Sequence, residues 1–139
     1  MNKIEFIPYE EAVALKELGF DYSCFGYHIE DFGEGIGFNK KYTPSQNHHP
    51  YQSCSAPLYQ QAFRWFRKKY NFVGTPLGDG FNGQLKGYYY SITEEGWINY
   101  YESIDDSKWY DTYEEAELAC LRKLIEIVKQ NKENENNNQ

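Results

Sequence analysis

Few residues in this chain have types and spacings that suggest chemistry. His48-His49 with Cys54, joined by Cys24 and His28, has the donor types of a zinc site. Structural zinc sites use four ligands at recurring spacing, and these five positions form a set only if the fold gathers them. Cys54 or Cys24 could serve as a nucleophile with His48, His49 or His28 as base, but no family signature flanks either cysteine. Glu117 falls within the apolar face of the last helix, where a carboxylate must be paired, lie near the helix end or hold its proton more tightly. Asp105-Asp106 is read as a solvated turn. Gly78-Asp79-Gly80-Phe81-Asn82-Gly83 spells G-x-G-x-x-G, but a dinucleotide loop must open a helix, and the residues that follow read as a strand. The expectation is a protein without catalytic residues, metal ligands or cofactor, with a small enzyme using Cys54 or Glu117 as the least supported reading.

A binding kit is easier to assemble. Arg64, Arg67 and Lys68 form a basic ridge on one helix face, suited to phosphates or acidic partners. Tyr88, Tyr90 and Trp97 lie in a Tyr-rich hairpin and could stack a base. These six residues are the candidate ligand-binding set. The same residue types dominate protein interfaces, so a polypeptide partner fits them too.

The elements that must position these groups follow from the hydrophobic pattern. KIEFI (3–7) reads as a short strand. Pro8 opens a helix with Ala12, Leu15 and Leu18 inward, and Gly19 ends it. Residues 20–29 read as a strand, and the glycines of 33–37 as a turn leading into Phe38. Residues 41–56 read as a long irregular loop. Ser55 is placed to cap an amphipathic helix over 57–70, with Pro57 in its first turn. Residues 71–84 look loop-like. Leu85–Ile92 and Trp97–Glu102 form a hairpin, with Tyr88, Tyr90 and Ile92 on one face and Tyr89 and Ser91 on the other. Thr112 and Glu115 make a capping box for a long helix whose wide apolar face runs from Tyr113 to Val128. This predicts an α+β fold, a mostly antiparallel aromatic-rich sheet packed against about three helices. One globular domain is expected over 1–129, followed by a disordered polar tail over 130–139.

Composition narrows the function classes. The net charge of −7 disfavours duplex nucleic acid as a partner. No apolar stretch is long enough to cross a bilayer, and the N-terminus lacks the apolar core of a signal peptide, so a cytoplasmic location is expected. Three cysteines at wide spacing do not form a disulfide framework. The 14 Tyr, 9 Phe and 3 Trp suit a surface that is half buried and half in contact with a ligand or partner. A Tyr-rich hairpin edge could also mediate a homo-oligomer.

The segments PYEEAVALKELGF (8–20), SAPLYQQAFRWFRKKY (55–70) and TYEEAELACLRKLIEIVK (112–129) resemble a family of small proteins carried by bacteriophages and prophages. The three blocks cover about a third of the chain, and the family supplies no functional residue to transfer. The resemblance implies an accessory protein acting in the host cytosol. On that context rests the expected function, a non-enzymatic counter-defence factor that sequesters a nucleotide signal. The alternative is an interaction module that inhibits a host protein.

Overall fold

A computed structural model describes residues 5–29, 35–42, 52–81, 84–94 and 98–138. The fold is α+β, with antiparallel strand pairing and three α-helices, as the sequence predicts. The described strands form two three-stranded sheets where a single one was expected. The chain divides into two compact units, Met1–Trp65 and Phe66–Gln139.

In the first unit, helix α1 spans Tyr9–Glu17. Pro8 is its N-cap, one position earlier than predicted. Its inward stripe is as expected, with Ala12, Leu15 and Leu18 buried. Gly19 ends the helix in a left-handed conformation, φ 94°. The Gly19 amide donates to Lys16 and the Phe20 amide to Leu15, which satisfies the last carbonyls of the helix in a Schellman motif. Strand β1 (Cys24–Ile29) lies between β2 (Gly35–Tyr42) and β3 (Gln52–Ala56). The predicted strand over 20–29 therefore begins at Cys24. The predicted loop over 41–56 gives way to strand at both ends, and 43–51 lie outside the described residues. Of the predicted strand over 3–7, Phe6 makes a single bridge to Leu58, and the Ile7 amide donates to the Pro57 carbonyl.

Helix α2, Tyr59–Tyr70, runs across the unit boundary. Ser55 does not cap it, because Ser55 sits inside β3. Gln61 reaches back instead, its Oε1 accepting the Leu58 amide at 3.0 Å while its Nε2 donates to the Ser23 carbonyl at 2.9 Å. One side chain thus satisfies an orphan amide at the helix start and ties the helix to the chain before β1. Asn71, φ 60°, ends α2 in the left-handed region that Asn tolerates.

In the second unit, strands β4 (Phe72–Phe81), β5 (Gln84–Glu94) and β6 (Ile98–Glu102) form an antiparallel sheet in chain order. The predicted hairpin is β5–β6. The loop predicted over 71–84 is instead mostly β4, a strand carrying Gly74, Pro76, Gly78 and Gly80. Poor strand formers survive there because β5 supplies a continuous Tyr-rich partner, in register from Phe72↔Glu94 to Asp79↔Gly87. Pro76 marks β4 as an edge strand, where a missing amide is tolerated.

Helix α3, Tyr113–Asn137, packs on β4 and β5. Thr112 Oγ1 accepts the Glu115 amide at 3.2 Å, as the capping-box pattern predicts, while Glu115 Oε2 accepts from the Asp111 amide. Ala116, Cys120, Leu121, Leu124, Ile125, Ile127 and Val128 of α3 are buried, and the Tyr113 ring meets Tyr88 on the even-numbered face of β5, which also carries the buried Tyr90 and Ile92. Burying side chains of this size contributes about 1.5–3 kcal/mol each for the larger ones. The helix runs past Lys129 into the polar segment expected to be a disordered tail, with 130–137 helical. Among the described residues no helix is long and apolar enough to cross a membrane.

Candidate functional site

The predicted ligand set is placed as follows. Arg64, Arg67 and Lys68 are exposed on α2. Tyr88 is half-buried, edge-on to the Tyr113 ring at 6.2 Å. Tyr90 is only 3 % exposed. Its ring lies 5.7 Å from Tyr101 and 6.2 Å from Tyr110. It offers no free face to a base, so the stacking role expected of Tyr90 is corrected to a core role. Trp97 lies outside the described residues. Within the second unit, no hydrogen bond, ion pair or ring contact among the described residues joins Arg67 or Lys68 to Tyr88 or Tyr90.

Tyr90 borders a polar pair in the aromatic layer. Its ring packs beside Tyr101, whose hydroxyl donates to Asp106 Oδ2 at 2.5 Å. Burial first, then this donated proton, pushes Tyr101 up to about 12, and burial pushes Tyr90 up further. The Lys123 ammonium sits 4.5 Å from the Tyr101 ring centre. The Tyr90 amide has no strand partner on its β6 side and donates instead to Ser103 Oγ at 3.1 Å. Ser103 is wholly buried in a 3-10 turn over Ser103–Asp106.

Of the candidate enzyme and metal residues, His28 and Cys24 are buried in the first unit. His28 is buried, with Nε2 3.1 Å from the Ile7 carbonyl, which can only accept, so Nε2 carries the proton. The Tyr9 ring meets His28 edge-on at 5.6 Å. Cys24 is buried and donates to the Tyr22 carbonyl. His48 and His49 lie outside the described residues, and Cys54 takes part in β3 opposite His28. Among the described residues no group of three or more His, Cys, Asp or Glu is arranged to hold a metal. Glu117 is half-buried, and burial, reinforced by Glu114, raises its carboxyl above the ordinary value of 4.5. Burial likewise pushes the Cys120 thiol up, which makes it a poor nucleophile.

The glycine-rich sequence has a different use from a phosphate loop. Gly78, Asp79 and Gly80 are strand residues of β4, and β5 follows instead of a helix. Asp79 pairs directly with Gly87 of β5. A Cβ at Gly87 would lie 3.3 Å from Cε3 of Trp109, so the missing side chain lets the indole rest on the strand. Tyr89 meets the same indole edge-on at 5.6 Å, and the Lys86 ammonium lies 5.6 Å from an aromatic centre of Trp109. Tyr110 exchanges two hydrogen bonds with Tyr88, of 2.9 and 2.8 Å, which fixes the backbone beside Trp109. Trp109 remains 39 % exposed, and Lys86 and Lys108 are exposed.

This is a fixed aromatic ring with an adjacent cation on the surface of the second unit. Sequence reasoning missed Trp109, Lys86 and Gly87 as a group, because Trp109 meets β5 through a bridge between residues far apart in the chain. The Lys-Gly-Tyr-Tyr run of 86–89 was the available signal, since a lone glycine inside a strand pattern marks a close approach of another group. Comparison with protein-family models, with curated proteins and with solved structures gives no match to this chain.

Proposed function

We propose that the protein is a non-enzymatic capture protein for a small phosphate-bearing molecule of the nucleotide class, with Trp109 as its stacking platform. The observation that supports this reading is the exposed indole seated on Gly87, braced by Tyr89 and accompanied by the Lys86 ammonium. A base stacks on an indole face, and such stacking contributes about 1–3 kcal/mol per base. A base arriving on Trp109 displaces Lys86 from the ring and leaves its ammonium beside the phosphate. The exposed cations Arg64, Arg67 and Lys68 on α2 are a second basic feature of the chain. The resemblance to phage proteins supplies the context in which such capture would act as counter-defence, holding a host nucleotide signal in the host cytosol.

A depletion-and-release experiment tests this reading. Pure protein is incubated with mononucleotides, cyclic nucleotides and oligonucleotide signals, filtered, and the filtrate chromatographed before heat release of the retained fraction. The expected result is a nucleotide that disappears and returns intact, with retention lost in Trp109→Ala. A ligand that returns chemically altered makes the protein an enzyme. Retention unchanged in Trp109→Ala removes this site.

A second reading is an interaction module that inhibits a host protein. It is favoured by Tyr100, Trp109 and Tyr113, exposed aromatics of the second unit. It predicts a stoichiometric polypeptide partner and no retained nucleotide.

A further inference from the structure

The ring and cation at Trp109 are accompanied by a third group with a different chemistry. Asp79 stands opposite Gly87 at the last regular pair of the β4–β5 ladder, just before the register shifts between Asp79 and Gly80. Residues directly opposite in an antiparallel pair project to the same face, with Cβ positions roughly 4.5–5.5 Å apart. Gly87 is the position on which the indole rests, and Tyr89, whose cross-strand partner is Leu77, braces the indole from the same face. The register therefore places Asp79 on the face of the sheet where the Trp109 indole rests on Gly87. Asp79 is exposed, and its Oδ1 accepts the amide of its own neighbour Gly80 at 2.9 Å, which orients the carboxylate and leaves Oδ2 uncommitted among the described residues.

A carboxylate accepts hydrogen bonds and repels anions, so it has no part in holding a phosphate. On a nucleotide whose base lies on an adjacent ring, the donors a carboxylate suits are the neighbouring hydroxyls of ribose. We propose that Asp79 makes this a ribonucleotide site, its carboxylate accepting from the ribose 2′- and 3′-hydroxyls while the base lies on Trp109 and the phosphate meets Lys86. The assignment rests on the capture reading above. It gives the glycine-rich sequence a use: Asp79, within Gly78-Asp79-Gly80, reads the sugar beside the ring that Gly87 of β5 admits.

The test is equilibrium dialysis of the full chain against AMP, GMP, CMP and UMP and their 2′-deoxy counterparts. The native protein is compared with Asp79→Asn, which keeps the Oδ1 acceptor for the Gly80 amide, and with Asp79→Ala. Circular dichroism checks that both variants retain the native fold. The native protein is expected to bind each ribonucleotide about tenfold or more tightly than its deoxy counterpart, the size of one hydrogen bond to a charged group. In both variants ribonucleotide binding should fall to the deoxy level, with the order among the bases unchanged. Equal binding of the two sugars, or a sugar preference that survives both substitutions, overturns the role of Asp79 and leaves capture at Trp109 standing. Tighter binding of GMP and dGMP alike over the other bases, lost in the variants, also overturns it, since the carboxylate would then be reading a base edge. If neither sugar series is retained by the native protein, the capture reading itself fails, and this assignment fails with it.

Discussion

Ser103 shows how one side chain can complete a sheet. The edge of β5 is covered by β6 from Ser91 to Glu94 and by Tyr110 at Tyr88, and between them the Tyr90 amide would be orphaned in the core. The buried Ser103 hydroxyl accepts it. Ser103→Ala should therefore cost about 1–3 kcal/mol, the penalty of leaving a buried donor unsatisfied, read as a lower urea midpoint with an unchanged slope. Glu117 works in the opposite direction. Its carboxyl is raised by burial and by Glu114, so the folded state holds the proton more tightly than the unfolded chain does. That preference stabilises the fold fully below the ordinary value of 4.5, and the contribution is lost as pH rises through the raised folded value. Glu117→Gln should raise the melting temperature at neutral pH, and the difference should shrink towards zero as the pH falls below 4.5. A melting temperature unchanged at neutral pH would show that Glu117 reaches solvent at no cost. Glu117 is the one candidate whose environment could be anticipated from spacing alone, because a helical period places it among apolar neighbours whatever they pack against.

At the scale of elements, the sequence was most legible where a single period or cap decides the structure. The inward stripe of α1, the Thr112 cap of α3 and the β5–β6 hairpin were all readable in this way. It was least legible where a distant partner overrides local preference. β4 has the glycines and proline of a loop and is a strand because β5 pairs with it along almost its whole length. The start of α2 was misread for a related reason: Ser55 looks like a cap, but pairing with β1 draws it into β3, and the capping passes to Gln61. Gln61 makes two bonds at once, so Gln61→Ala should destabilise the protein by about 1–2 kcal/mol, within the range of a lost helix cap. Gln61→Glu separates the two bonds: its carboxylate can still accept the Leu58 amide but cannot donate to the Ser23 carbonyl. Denaturant midpoints for the two variants should fall in the order Glu above Ala, and equal midpoints would mean that the tie to Ser23 carries the whole effect.

For the whole molecule, the α+β class and antiparallel pairing were legible because hydrophobic period and turn residues set them locally. The division of the strands into two sheets was not, because nothing local says which edges meet. The candidate site follows the same rule. Its residue types were visible, but Trp109 joins Lys86 and Gly87 only through the Tyr88–Tyr110 bridge, and Tyr90 left the ligand set because α3 covers its face of the sheet. The charge of the whole chain bears on what such a site can hold. Duplex DNA is a dense array of phosphates, and binding it requires several cations that release its counterions together. Here 14 Lys and Arg are outweighed by 21 Asp and Glu. A surface of that balance repels a long polyanion, while Trp109 and its adjacent lysine offer one ring face and one cation. The protein should therefore give no mobility shift with duplex DNA even at low salt, where any phosphate-driven association is strongest. A shift that appears at low salt and fades with added salt would locate a multi-phosphate surface on this acidic chain, with Arg64, Arg67 and Lys68 of α2 as the first residues to replace. Absence of a shift, together with mononucleotide retention that Trp109→Ala abolishes, would confine anion recognition to the exposed indole.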